Sequence, residues 1–191
     1  MQAHIKKVCR SASWGVCKIG KIRKLLDQPT TAKLVHAFIS SHIDYCNSVF
    51  AGLPKTHLLP LQRILNTAAR LVTLSRKSEK ITPILRNLHW LPIHQRINFK
   101  VLLLVYKIIN SQAPQYFHNL ISLRSNTLQR PLRSSSTLKL TCGPRVCTRY
   151  GNRAFSVIAP QLWNSLPAHV QNAPTIETFK SLLKTHLFNV V

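Results

Sequence analysis

Apolar side chains recur at helical spacing along most of this chain, interrupted by short polar or proline-bearing stretches. Residues 4–26 predict a first helix. Val8, Ala12, Ile19, Ile22 and Leu26 form one face, and Lys7, Arg10, Lys18, Lys21 and Lys24 form a basic one. Gly15 and Gly20 weigh against it, because glycine costs about 1 kcal/mol inside a helix. After a break at Asp27 and Pro29, residues 31–50 predict a second helix with Leu34, Phe38, Ser41, Tyr45 and Val49 as its inward stripe. The cleanest pattern lies at 55–74, where Leu58, Leu61, Leu65, Ala68 and Val72 align and Arg63, Asn66 and Arg70 face elsewhere. A short helix over 82–88 is favoured by Pro83 in its first turn. A long apolar helix over 93–110 follows, with Ile97, Val101, Leu104 and Ile108 in register, and Pro114 opens a short helix to about 122.

The stretch from Ser122 to Thr148 is rich in Ser, Thr, Arg and Pro and lacks helical period. It predicts a loop with two short strands near 137–141 and 145–149. Helical pattern resumes at 152–158, followed by a turn at 160–165. A last helix over 175–188 carries Phe179, Leu182, Leu183, His186 and Leu187 on its apolar side. The expected fold is mainly α: a bundle-like helical region over 1–122, then a basic loop and short-strand segment with C-terminal helices over 123–191.

Charge changes the picture more than length does. The 191 residues carry 27 Lys and Arg but only four Asp and Glu, a formal net charge of +23. The acids are Asp27, Asp44, Glu79 and Glu177, and none lies between Lys80 and Ile176. Hydrophobic residues make up 45%, enough for a core and unlike the composition of a disordered chain. Such a surface repels itself and attracts phosphates. The N-terminal residues lack the apolar run of a signal peptide, and the longest apolar run, bracketed by Lys100 and Lys107, is far short of the ~20 residues a membrane span needs. Five cysteines at irregular spacing suit reduced thiols in the nucleus or cytoplasm rather than a secreted disulfide framework.

The scarcity of acids also narrows the chemistry. Two-metal polymerases and nucleases need converging carboxylates, and glycosidases need a flanking pair; no adjacent acids occur here. Phosphate-cradling glycine patterns are absent as well, so no cofactor is expected. Cys142 and Cys147 stand at C-x4-C spacing around Gly143-Pro144, but no second ligand pair follows, which favours two thiols across a turn over a zinc site. The nine histidines read singly as packing or surface residues, although a nucleophile–histidine arrangement assembled only in space leaves no sequence signature. Two basic clusters point to phosphate binding instead. One is Lys18, Lys21, Arg23 and Lys24, and the other is Arg124, Arg130, Arg133, Lys139, Arg145, Arg149 and Arg153. No base-stacking aromatic stands out: Tyr150 could stack on a base, but core or turn packing is favoured for it.

Several strings in order carry a resemblance. They are Ser41-His-Ile-Asp-Tyr-Cys-Asn-Ser-Val-Phe-Ala-Gly-Leu-Pro54, Leu61-Gln-Arg-Ile-Leu-Asn-Thr-Ala-Ala-Arg-Leu-Val72 and Ile81-Thr-Pro-Ile-Leu-Arg-Asn-Leu-His-Trp-Leu-Pro-Ile93. Further on come Arg96-Ile-Asn-Phe-Lys100, Ala113-Pro114, Tyr150-Gly-Asn-Arg-Ala-Phe-Ser156, Ala159-Pro-Gln-Leu-Trp-Asn-Ser-Leu-Pro167 and Phe179-Lys-Ser-Leu-Leu-Lys-Thr-His-Leu-Phe188. Together, from about His4 to Phe188, they resemble the region after the polymerase core in LINE-type, non-LTR, jockey-like retrotransposon reverse transcriptases. The resemblance implies a thumb and C-terminal segment without the palm, whose Asp-Asp motif does the chemistry. It therefore implies no catalytic residue here and no polymerase activity. It also implies non-specific RNA or DNA as partner, with a polymerase core in trans as a further possible partner, and a truncated or remnant reading frame. The alternatives are a helical protein-interaction scaffold or a relic without function.

Overall fold

The computed structural model describes residues 1–123, 138–143, 148 and 150–190. The chain is mainly α and divides into two compact units, Met1–Ile97 and Asn98–Val191. The change of composition after residue 122 falls inside the second unit.

In the first unit, α1 (Gln2–Ile22) buries Ile5, Ala12, Gly15 and Ile19. A tight 3-10 turn over Arg23–Leu25 ends it. Next come α2 (Gln28–Val35), a π-turn over His36–Ser40 and α3 (Ser41–Asp44) in one nearly continuous run. Then α4 (Lys55–Thr73) buries Leu58, Leu61, Leu65, Ala68, Ala69 and Val72, the stripe its spacing predicts. α5 (Ile81–Asn87) follows, and the first residues of α6 (Ile93–Ile109) complete the unit. Gly15 is needed where it stands: a Cβ there would sit 3.0 Å from the Phe38 carbonyl oxygen and 3.2 Å from Ile39 Cγ1. The expected weak point of α1 is a place where the helix lies close against the π-turn.

The inward stripe of the second helix is corrected. Thr31, Val35, Ile39, Ile43, Asn47 and Phe50 are buried, whereas Phe38, Tyr45 and Val49 are exposed. Each four-residue step over-rotates an α-helix by about 40°, so a stripe spaced by four drifts away from its core. The π-turn takes up an extra residue and turns it back.

Polar side chains fasten the helix ends. Gln62 on α4 accepts from the backbone N–H of Ile93 at 2.8 Å, capping the start of α6. Arg96 donates to Asp44 at 2.7 Å and to the Leu91 carbonyl at 2.8 Å, joining α3 to the turn before α6.

The second unit contains the rest of α6, a 3-10 segment at Gln115–Leu120, α7 (Phe155–Asn164), α8 (Ala168–Gln171) and α9 (Ile176–Asn189). Tyr106 stacks on Phe179 at 4.2 Å and donates its hydroxyl proton to the Ala173 carbonyl at 2.9 Å. Trp163 is fully buried against Phe179 and donates its indole N–H to the Leu138 carbonyl. Asn164 pairs both ways with the backbone of Leu140: it accepts from its N–H and donates to its carbonyl, each at 2.9 Å. The expected turn at 160–165 is thus corrected to helix. Pro160 removes one backbone hydrogen bond, and the buried face of Val157, Ile158, Ala159 and Trp163 outweighs that loss. The short helix expected after Pro114 is a 3-10 helix, Gln115–Leu120, and α8 is an addition to the expected elements. Of the two expected strands, only an isolated antiparallel bridge between Leu123 and Leu140 is seen among the described residues. Apart from Thr148, the stretch 145–149 lies outside them. The last helix follows its predicted pattern, with Phe179, Leu183 and Leu187 buried and Thr175 accepting from the N–H of Thr178 as N-cap.

Candidate nucleic-acid interface

The core-facing side of α1 is small and apolar, so its opposite side is fixed towards solvent. Lys6, Lys7, Arg10, Trp14, Lys18 and Lys21 are exposed there, and α1 contains no carboxylate. From Lys7 to Lys21 the stripe spans about 21 Å at helical rise. Lys24, just beyond, is exposed too. Lys18 and Lys21 therefore stand on the surface as the sequence suggests. Lys7 and Arg10, already read as part of a basic face, join them.

Arg23 is the exception, and it leaves the candidate set. It is 6% exposed. Its guanidinium donates to the carbonyls of Leu71 at 2.7 Å, Leu26 at 2.7 Å and Val72 at 2.9 Å. Leu71 and Val72 belong to the last turn of α4, where carbonyls lack helical partners and a positive charge meets the negative end of the helix dipole. Arg23 is a helix cap built from the neighbouring helix. Spacing alone could not separate it from Lys21 and Lys24.

Within the second cluster, Lys139 and Arg153 are half-buried. Arg124, Arg130, Arg133, Arg145 and Arg149 lie outside the described residues, as does Cys147. Cys142 is exposed and receives a weak contact from the Asn164 amide at 3.5 Å. Among the described residues, no group of three or more His, Cys, Asp or Glu could hold a metal ion.

All four carboxylates serve local structure. Asp27 precedes α2, where its carbonyl accepts from the Thr31 hydroxyl at 2.7 Å and the polar side chain of Thr30 holds its carboxyl below the ordinary carboxylate range. Asp44 pairs with Arg96 and accepts from Asn47. Glu79 accepts from the backbone N–H of Arg76 at 2.7 Å. Glu177, in the first turn of α9, pairs with Lys180 at 2.9 Å. Neither of these ion pairs involves a cation of α1.

Several histidines have packing partners: His4 lies against Phe50, and His36 meets the edge of Trp90 at 5.2 Å. Tyr150 is 78% exposed. The residues missed from sequence are Lys6 and, above all, Trp14, which is 62% exposed in the middle of the basic face with the Lys18 Nζ 4.9 Å from its ring centroid. Its signal was positional: Lys7, Arg10, Lys18 and Lys21 stand at i−7, i−4, i+4 and i+7 from it. No helix among the described residues is long and apolar enough to cross a membrane. The chain matches no protein-family model, no curated protein and no solved structure.

Proposed function

We propose that this chain is a non-catalytic module that grips the phosphate backbone of RNA or DNA without sequence preference, as the thumb and C-terminal region of LINE-type reverse transcriptases implies. One observation carries the reading. The outward face of α1 presents a stripe of cations with no carboxylate on the same helix, while the inward face anchors the helix to its own core. Surfaces that are merely solvated mix charge signs; this one does not. Phosphate contacts of this kind release counterions, so affinity falls steeply as salt rises. Filter binding of single-stranded and duplex probes of unrelated sequence, across a salt series, tests it. Comparable affinities for all sequences, falling with salt, support the module; salt-independent affinity or strong sequence preference rejects it.

A second reading has its own observation. Phe38, Tyr45 and Val49, expected in the core, are 50%, 71% and 51% exposed. This apolar set favours a protein partner such as a polymerase core in trans. Size-exclusion chromatography with such a core, comparing the intact chain with Tyr45→Glu, distinguishes docking on this face from nucleic-acid binding alone.

A further inference from the structure

The outer face of α1 holds one large aromatic ring among its cations. Trp14 stands in the centre of the stripe, with cations one and two turns away on either side. Nothing in the core requires an indole here: Trp14 is 62% exposed, and the packing of α1 is carried by Ile5, Ala12, Gly15 and Ile19 on the other side. The chain's other two tryptophans are buried, Trp90 at 5% and Trp163 at 0% exposure. The ring lies within reach of the Lys18 ammonium, so a phosphate held by Lys18 stands beside the indole.

We propose that Trp14 is a stacking platform for an unpaired base, and that the outer face of α1 binds single-stranded nucleic acid by its bases as well as its backbone. The inference rests on the backbone-binding reading and adds a ligand class to it. Cations that track phosphates and an aromatic ring between them are the two parts of a sequence-tolerant single-strand site. A lipid surface is the other partner that takes a basic helix bearing tryptophan. It needs the helix's apolar face to enter the bilayer, and here that face is locked against the protein core. Charge complementarity and this locked apolar face together select the nucleic acid.

The test compares a short oligodeoxyadenylate with an abasic phosphodiester strand of equal length, using the whole chain, Trp14→Ala and Trp14→Phe. Because Trp14 is exposed, the substitutions leave the fold intact, which a thermal melt checks. The native chain is expected to prefer the base-bearing strand by about tenfold, the scale of one stacked base, and to show quenching of its exposed tryptophan. Trp14→Ala is expected to lose the preference and the quenching while binding the abasic strand as before with the same salt slope. Trp14→Phe is expected to retain most of the preference. If the native chain binds both strands equally, or Trp14→Ala keeps the preference, stacking is overturned and the backbone-binding reading stands. If no strand binds in a salt-dependent way, both fall. Binding to phosphatidylserine vesicles with no quenching by the strand would also overturn the proposal in favour of a membrane.

Discussion

Replacing Arg23 with methionine separates structural charge from functional charge on this chain. Methionine keeps the apolar stem and removes the donors. The Arg70 carbonyl already receives the N–H groups of Leu74 and Ser75 as the chain turns away at the end of α4. Leu71 and Val72 depend on Arg23 instead, and so does Leu26. Each carbonyl left without a donor costs about 1–3 kcal/mol when dry. Leu26 and Leu71 are only half-buried, so water recovers part of the loss there, while Val72 is fully buried. Taking about 1 kcal/mol for each wet site and the middle of the range for the dry one gives about 4 kcal/mol in all. Unfolding of a unit the size of Met1–Ile97 shifts by about 4–8 °C per kcal/mol, so the melting temperature of that unit should fall by well over about 10 °C. Circular dichroism melts of the native chain and Arg23→Met measure it. Nucleic-acid affinity at low temperature should not change, because the guanidinium never reaches the surface. Lys21→Gln should do the reverse, weakening binding at unchanged stability. A variant at Arg23 that melts normally but binds nucleic acid poorly would refute the capping role.

The remaining expectations concern packing, the clamp on the second unit and pH. Gly15→Ala should destabilise by about 1–3 kcal/mol through overpacking against the Phe38 carbonyl, whereas Gly20→Ala, with nothing within 4 Å, should stabilise by up to about 1 kcal/mol; denaturant melts of the two variants should move in opposite directions. Asn164→Ala should cost about 1–2 kcal/mol and speed amide exchange at Leu140, since both backbone groups of that residue lose their partner; unchanged exchange would count against the clamp. His36 and His94 are both held below their ordinary value of 6.5, in each case first by desolvation and then by a neighbouring cation, Arg96 or Lys55. The unfolded chain therefore binds more protons than the folded one just below that value. Stability should be full above about pH 6.5, fall modestly as pH drops from there towards the folded values, and level off below them. The double substitution to glutamine should flatten the slope of melting temperature against pH.

Some of this was legible in the chain and some was not, for identifiable reasons. The stripe of α4 could be read because only one of its faces is apolar, so period alone chose the inward side. The run from residue 31 to 50 carries two apolar stripes, and the heavier one, with Phe38 and Tyr45, faces out. A period cannot choose between two such faces, and the π-turn that decides it has no sequence mark. The helix of α7 was hidden by Pro160, because local propensity counts the lost hydrogen bond but not the burial of Trp163. In the basic face, the exposed lysines were visible as a cluster. The role of Arg23 was not, because its partners lie 48 and 49 residues away in sequence. Trp14 shows in the sequence only by its place among the cations, because an aromatic side chain in a helix does not by itself mark an exposed site.

The most direct test is the salt dependence of single-strand binding by the native chain against one with Lys6, Lys7, Arg10, Lys18 and Lys21 all changed to glutamine. Each phosphate contact on a single strand contributes about −0.7 to the slope of log affinity against log salt. Removing five such contacts should make the slope shallower by up to about 3.5, with the thermal melt of the chain preserved. An unchanged slope in the folded variant would contradict the account and place the nucleic-acid contacts away from α1.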